Sequence, residues 1–252
     1  MKKILTLLTV LLFLFSATAF AASDTDENSS GYWFKKGLEY NATKDYENAL
    51  LAYTKAIEIN PMGAGSYNNR GLIYKEQKKY DLALRDYNKA IEIDPQSGEI
   101  YNNRGVIYRI QKQYDLALAD FNQAIQIAPT KFRYNNRANT YMDQKKYDSA
   151  IADFTRVIEM DPQNTHAYYS RGFSYFNQKQ YELAIYDLSK TIEIDSNYTK
   201  AYALLGVSYE ISKQKDKAIA SYKLFLKYTN SNSNSTTEQI DFVKSRIAEL
   251  SK

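Results

Sequence analysis

The stretch Tyr101–Pro129, YNNRGVIYRIQKQYDLALADFNQAIQIAP, decides how the rest of the chain is read. Its opening five residues recur as YNNRG at Tyr67–Gly71 and as YNNRA at Tyr134–Ala138. Its closing proline is one of four, Pro61, Pro95, Pro129 and Pro162, spaced 34, 34 and 33 residues apart. A fixed period of about 20 to 50 residues marks a chain of stacked supersecondary units. Gly37, Gly71, Gly105, Gly172 and Gly206 keep the same frame, with Ala138 in the remaining slot. Four residues before each small residue stands an aromatic one: Trp33, Tyr67, Tyr101, Tyr134, Tyr168 and Tyr202. Three residues after it stands a tyrosine: Tyr40, Tyr74, Tyr108, Tyr141, Tyr175 and Tyr209.

Each period reads as two helices. In the first, Tyr67, Leu72 and Tyr74 flank Gly71, where the missing Cβ lets a neighbouring helix come close. A turn at KKY leads into DLALRDYNKAIEI, whose Leu82, Ala83, Tyr87, Ala90 and Ile91 form one broad apolar face. The alanine series Ala49, Ala83, Ala117, Ala150, Ala184 and Ala218 marks this second helix throughout. Asp81, Asp115 and Asp148 fall near its start, where the helix dipole favours negative charge. IDP, APT and MDP end it, because proline cannot continue a helix and biases the residue before it away from helical geometry.

These residues resemble a tetratricopeptide repeat array of six tandem copies over four fifths of the chain, 30–63, 64–97, 98–130, 131–164, 165–198 and 199–229. The resemblance implies an all-α, right-handed superhelical solenoid whose first helices line a concave face. A polar loop at 230–235 follows, then a capping helix at 236–252. In that helix Thr236 and Gln239 have capping-box spacing, and Ile240, Val243, Ile247 and Leu250 share one face, as the open end of a solenoid requires.

Arg70, Arg104, Arg137 and Arg171 precede the small residue, and sixteen residues after each comes Asp86, Asp120, Asp153 or Asp187. The first repeat has Lys36 with Ala52 and the sixth Leu205 with Ser221, so arginine and aspartate occur together or not at all. That co-occurrence predicts ion pairs inside each hairpin, the planar guanidinium serving a carboxylate with two bonds. An arginine ladder for anionic ligands is the other use of such a series.

The resemblance implies that residues after the leading aromatic meet a partner on the concave face. Here these are Asn68, Asn69, Asn102, Asn103, Asn135 and Asn136, with Asn139 one turn on. Asparagine both donates and accepts, which suits the backbone of an extended peptide. In the fifth repeat the face becomes aromatic, with Tyr169, Phe173 and Phe176 as candidate anchors. Some members of the family bind a terminal carboxylate through lysine, arginine and asparagine on three successive first helices. Asn69 and Asn103 fit that clamp, but its basic positions read Glu99 and Asn103 or Phe132 and Asn136, so it is incomplete.

The N-terminus sets basic Lys2 and Lys3 before the apolar run Ile4–Phe15 and a small-residue stretch, the layout of a secretory signal peptide over 1–21, followed by a polar linker at 22–29. An uncleaved segment would instead anchor the chain, and only then is membrane contact expected. No cysteine is present, so an oxidising compartment brings no disulfide. Thirty-three basic and 29 acidic residues give a formal charge of +4, which falls to +2 without Lys2 and Lys3. Acidic residues run through every segment, so the concentrated basic footprint of a nucleic-acid binder is missing.

Chemistry has little to stand on. His166 is the one histidine, at the start of the fifth repeat; there is no phosphate loop, and carboxylates such as Glu92 and Asp94 repeat with the helices. The expectation is therefore no catalysis and no small-molecule cofactor or metal, with an envelope hydrolase as a remote alternative. The expected activity is binding of a protein or peptide in the periplasm or envelope. The alternative is an assembly factor that works through its edges or outer surface. Three N-x-T sequons, at Asn41, Asn197 and Asn234, matter only in a host that glycosylates.

Overall fold

The computed structural model describes residues 26–229 and 236–252. The expected leader at 1–21, the first half of the linker after it, and the loop at 230–235 with Asn234 lie outside the described residues. Thirteen helices and no strand occur among the described residues: α1 Ser30–Ala42, α2 Tyr46–Ile59, α3 Ala64–Glu76, α4 Tyr80–Ile93, α5 Gly98–Ile110, α6 Tyr114–Ile127, α7 Lys131–Asp143, α8 Tyr147–Met160, α9 Thr165–Asn177, α10 Tyr181–Ile194, α11 Thr199–Ile211, α12 Lys215–Thr229 and α13 Thr237–Leu250. They pair as successive hairpins, α1 with α2 through α11 with α12, and α13 packs on α12. The chain divides after Ile127 into two compact units. The first holds three hairpins; the second holds three hairpins and α13.

The inside of a hairpin is built from one small and one large residue in register. Gly71 of α3 faces Tyr87 of α4, and a Cβ there would lie 2.8 Å from the tyrosine ring; at Gly206 of α11 the corresponding distance to Tyr222 is 2.4 Å. Glycine therefore sits where the second-helix ring occupies the space a side chain would need. In the fifth hairpin Leu188 replaces the ring, and a Cβ on Gly172 would have 3.2 Å to its Cγ. Around these contacts Ala83, Tyr87 and Ala90 are completely buried in the first unit, as are Ala150, Phe154 and Val157 in the second.

A feature hidden from the sequence closes every first helix. Lys44, Lys78, Lys112, Lys145, Lys179 and Lys213 all adopt the left-handed conformation, with φ between 58° and 62°. Lys78 N–H donates to Lys75 O at 2.9 Å and Lys79 N–H to Tyr74 O at 2.8 Å, the double bond of a Schellman motif. The same pair recurs at the other five turns. Glycine or asparagine usually signals such a site, and lysine gives no such warning.

The end of the second unit is closed from outside the period. Thr236 Oγ1 accepts from Gln239 N–H and Gln239 Oε1 accepts from Thr236 N–H, completing the capping box. Val243 is buried against Tyr202, Ala218, Tyr222 and Phe225, with Ile240, Ile247 and Leu250 packed beside it. Arg246 of α13 donates through Nε to Glu210 of α11 at 3.2 Å and through a second guanidinium nitrogen to its other oxygen, while Tyr222 Oη donates to the same carboxylate at 3.0 Å.

Candidate functional site

The residues singled out from the sequence separate into a seam inside each hairpin and a face along the first helices. In the seam, Arg70 donates through Nε and a terminal nitrogen to the two oxygens of Asp86, both at 2.8 Å. Arg104 reaches Asp120 at 2.8 and 2.7 Å, Arg137 reaches Asp153 at 2.8 and 2.7 Å, and Arg171 reaches Asp187 at 2.8 and 2.8 Å. All four aspartates are buried. Each guanidinium also lies 5.7 Å from the ring of the tyrosine three residues before it, Tyr67, Tyr101, Tyr134 or Tyr168.

A third partner was missed. Arg70 donates to Thr54 Oγ1 at 3.0 Å, Arg104 to Asn88 Oδ1 at 2.7 Å and Arg171 to Thr155 Oγ1 at 3.0 Å, each on the preceding hairpin of its own unit. These partners stand sixteen residues before the arginine, as the aspartate stands sixteen after. A hydroxyl or amide recurring at that offset was the available signal. With its donors directed inward in this way, the arginine series is placed as an internal stitch and not as a free ladder for anions.

The electrostatics of the pairs are double-edged. The bonds to Asp120 raise the pKa of Arg104 despite its burial, so the arginine gains from the contact. Burial nevertheless raises the pKa of Asp120, with Arg104 pulling it back only in part, and the same holds for Asp187 with Arg171. The two partners thus point in opposite directions. Desolvation is paid mainly at the carboxylate, so the pair contributes little net stability while breaking it is costly.

In the first unit the face is polar and partly used internally. Asn68 is buried: its Nδ2 donates to Glu99 at 3.2 Å and its Oδ1 accepts from Asn103 Nδ2 at 3.0 Å. It was expected to meet a partner; it instead joins α3 to α5, because two amides and a carboxylate on adjacent first helices satisfy one another. Asn69, Asn102 and Asn103 remain half-buried on the same helices. In the second unit Asn135, Asn136 and Asn139 are half-buried on α7; Asn135 Oδ1 is buried without a hydrogen bond among the described residues, and the backbone carbonyl of Asn136 accepts from Thr140 Oγ1 at 2.9 Å.

Further along the second unit the face turns apolar. Tyr169 and Phe173 of α9, Lys200, Ala203 and Val207 of α11 and Phe242 of α13 line a cavity of about 400 Å3. Tyr169 stacks obliquely on Tyr198, with centroids 4.9 Å apart, and burial raises its hydroxyl pKa to about 12, so it is neutral at physiological pH. Phe176, the third expected anchor, packs edge-on against Tyr181 at 5.6 Å and belongs to the hydrophobic core around Leu188 and Leu205; it does not line the cavity. His166 is exposed in the first turn of α9, its ring edge-on to Phe154 and Nε2 3.5 Å from Ser170 Oγ. Lys200 and Phe242 were not singled out from the sequence. Phe242 lies on the solvent side of the capping helix, a place that its apolar periodicity alone assigns to no partner.

Hairpins with a constant inner seam and a variable outer face define a helical-repeat scaffold. The family models agree: "Tetratricopeptide repeat" matches residues 64–97, 98–131, 133–164, 166–198 and 199–232, and "TPR repeat" matches 37–78. The chain belongs to the tetratricopeptide repeat family, whose proteins act as protein-interaction scaffolds. No curated protein matches its sequence. Among solved structures, Pseudomonas aeruginosa PilF is similar with a TM-score of 0.72 and 18% identity, over 86% of this chain and 96% of PilF. PilW, described as a widely conserved type IV pilus biogenesis factor, has a TM-score of 0.68 and 21% identity, over 85% of this chain and 97% of its own. YrrB, described as a TPR protein with an unusual peptide-binding site, has a TM-score of 0.65 and 22% identity, over 72% of this chain and 94% of its own. At these identities the likeness is one of fold.

Proposed function

We propose that this protein is an exported interaction module of the cell envelope that holds an extended peptide or a helix against the faces of its first helices, by binding alone and without making or breaking a bond. The cavity beneath Phe173 and Phe242 carries this reading, since a concave apolar site with few polar groups is the form that recognition sites usually take. The half-buried amides of Asn102 and Asn103 support it by offering donors and acceptors for a peptide backbone in the first unit. The leader-like residues 1–21 and the likeness to a pilus biogenesis factor support placement in the envelope. A second reading, assembly through the outer surface, draws on exposed Leu51, Leu116, Leu183 and Tyr186 of the second helices.

Photo-crosslinking in the envelope separates the two. A photoreactive residue at Asn103 or Phe173 is expected to capture a specific protein, while one at Tyr186 captures none. Capture confined to Tyr186 contradicts the first-helix reading and supports assembly through the second helices.

A further inference from the structure

The cavity of the second unit has a feature that its apolar walls do not need. Of the residues lining it, Lys200 alone is charged. It stands exposed in the first turn of α11 and forms no salt bridge among the described residues, whereas Lys36, Lys89, Lys131 and Lys190 each have a carboxylate within 2.9 Å. Asp195 shares a separate surface cavity with Lys200 and forms no salt bridge to it, Glu210 on the same helix is held by Arg246 and Tyr222, and neither Glu238 nor Asp241 of α13 lines the apolar cavity. An ammonium with no bonded carboxylate among the described residues thus borders Tyr169, Phe173, Val207 and Phe242. Of two cavities in the first unit, one of about 290 Å3, lined by Gly31, Phe34, Ala56 and Gly65 among others, has no charged residue, and the other, of about 440 Å3, sets Asp81 beside Lys78 and Lys79.

Resting on the groove-binding reading above, we infer that the second-unit cavity recognises a peptide segment in which a bulky apolar side chain, aromatic in the best case, stands beside a carboxylate. The apolar group fills the space between Phe173, Val207 and Phe242, and the carboxylate lies on Lys200. A volume of about 400 Å3 is enough to seat one large side chain. Next to apolar walls the ammonium and carboxylate attract more strongly than in bulk water, so the charge adds selectivity to what the ring supplies in affinity. A basic neighbour in place of the carboxylate is repelled.

The test compares two probes on the purified protein by NMR titration: N-acetyl-tryptophan, an indole with a carboxylate, and N-acetyl-tryptophanamide, the same indole without the charge. The carboxylate form is expected to bind about five-fold tighter at low salt, with resonances of Tyr169, Phe173, Ala203 and Val207 moving together. Lys200→Gln, at an exposed site, brings the two probes to equal affinity by weakening only the charged one. Phe242→Ala, also exposed, weakens both. Equal affinity in the unaltered protein, an unchanged preference in Lys200→Gln, or binding of neither probe at these residues overturns the inference. Specific crosslinking from Phe173 together with no carboxylate preference defeats this inference alone; loss of both defeats the groove-binding reading as well.

Discussion

The seam and the face of this protein share the same first helices, Arg70 beside Asn69 and Arg104 beside Asn103, and obey different rules. Along the seam, four hairpins repeat the same arginine and aspartate at 2.7 to 2.8 Å, and glycine or alanine meets a large second-helix residue each time. Along the face, three successive repeats keep the paired asparagines, Asn68 and Asn69, Asn102 and Asn103, Asn135 and Asn136, but the next two carry Tyr169 and Ser170, then Ala203 and Leu204. The difference teaches that packing requirements recur with the period because every hairpin must solve the same problem. A partner is met once, so the face need not repeat.

The seam should break first and hardest. Arg104→Ala leaves Asp120 buried without its main partner and is expected to cost about 2 to 4 kcal/mol in chemical unfolding. Asp120→Asn, which removes the costly buried charge and keeps an acceptor, should cost clearly less; equal losses would contradict the account of desolvation at the carboxylate. Gly206→Ala, which brings a methyl to 2.4 Å from the Tyr222 ring, is expected to cost about 1 to 3 kcal/mol. The equivalent change at Gly172, facing Leu188 at 3.2 Å, should cost less.

Buried hydroxyls give a finer contrast. Tyr87 Oη is buried with no hydrogen bond among the described residues, and burial pushes its pKa up, whereas Tyr222 Oη donates to Glu210. Tyr87→Phe is therefore expected to be neutral or stabilising, while Tyr222→Phe loses about 1 to 2 kcal/mol with its bond to a charged acceptor. Thermal melts of the two variants should move in different directions or differ clearly in size. Smaller still, Lys112→Gly relieves a left-handed lysine and should raise stability by up to about 1 kcal/mol, provided the gain in the folded state exceeds the added freedom of the unfolded chain.

The closure by α13 should respond to acid. Arg246 holds the Glu210 carboxyl below the 4.5 of a free glutamate. Its folded pKa is depressed, so the stabilisation is fully present above the unfolded value and is lost as pH falls through the folded one. Docking of α13, followed by a fluorophore at the exposed Lys252, should weaken below pH 4.5, and Arg246→Ala should remove that step. Asp120 and Asp187 have the opposite sign: with folded pKa values raised, their contribution improves on acidification and does not account for such a loss.

Much of the seam was legible because its requirements are written at fixed offsets. Pro61 to Pro162 set the period, Gly71 marked the close approach, and the shared presence of Arg70 with Asp86 and absence of both in the first and sixth repeats predicted a contact. The left-handed turns were not legible, since Lys78 and its equivalents carry no conformational signature. Asn68 misled because its use depends on Glu99 and Asn103, which lie on the next first helix at offsets the period does not mark. Lys200 and Phe242 were invisible as a site for a similar reason: α13 is not a repeat, and its place is set by the packing of Val243 on Tyr202, Ala218, Tyr222 and Phe225 together with the bond from Arg246 to Glu210. Phe176 illustrates the remaining ambiguity, for an aromatic residue at helical spacing serves the core as readily as a partner.

The most direct test of the division between seam and face is the yield of the crosslinked partner from a photoreactive residue at Ala203, measured at a temperature where every variant remains folded. Arg104→Ala in the seam and Phe173→Ala on the face are compared with the unaltered protein. The account predicts that Arg104→Ala lowers the melting temperature and still captures the partner, while Phe173→Ala melts nearly unchanged and captures far less. Capture that survives Phe173→Ala but fails in folded Arg104→Ala would contradict it.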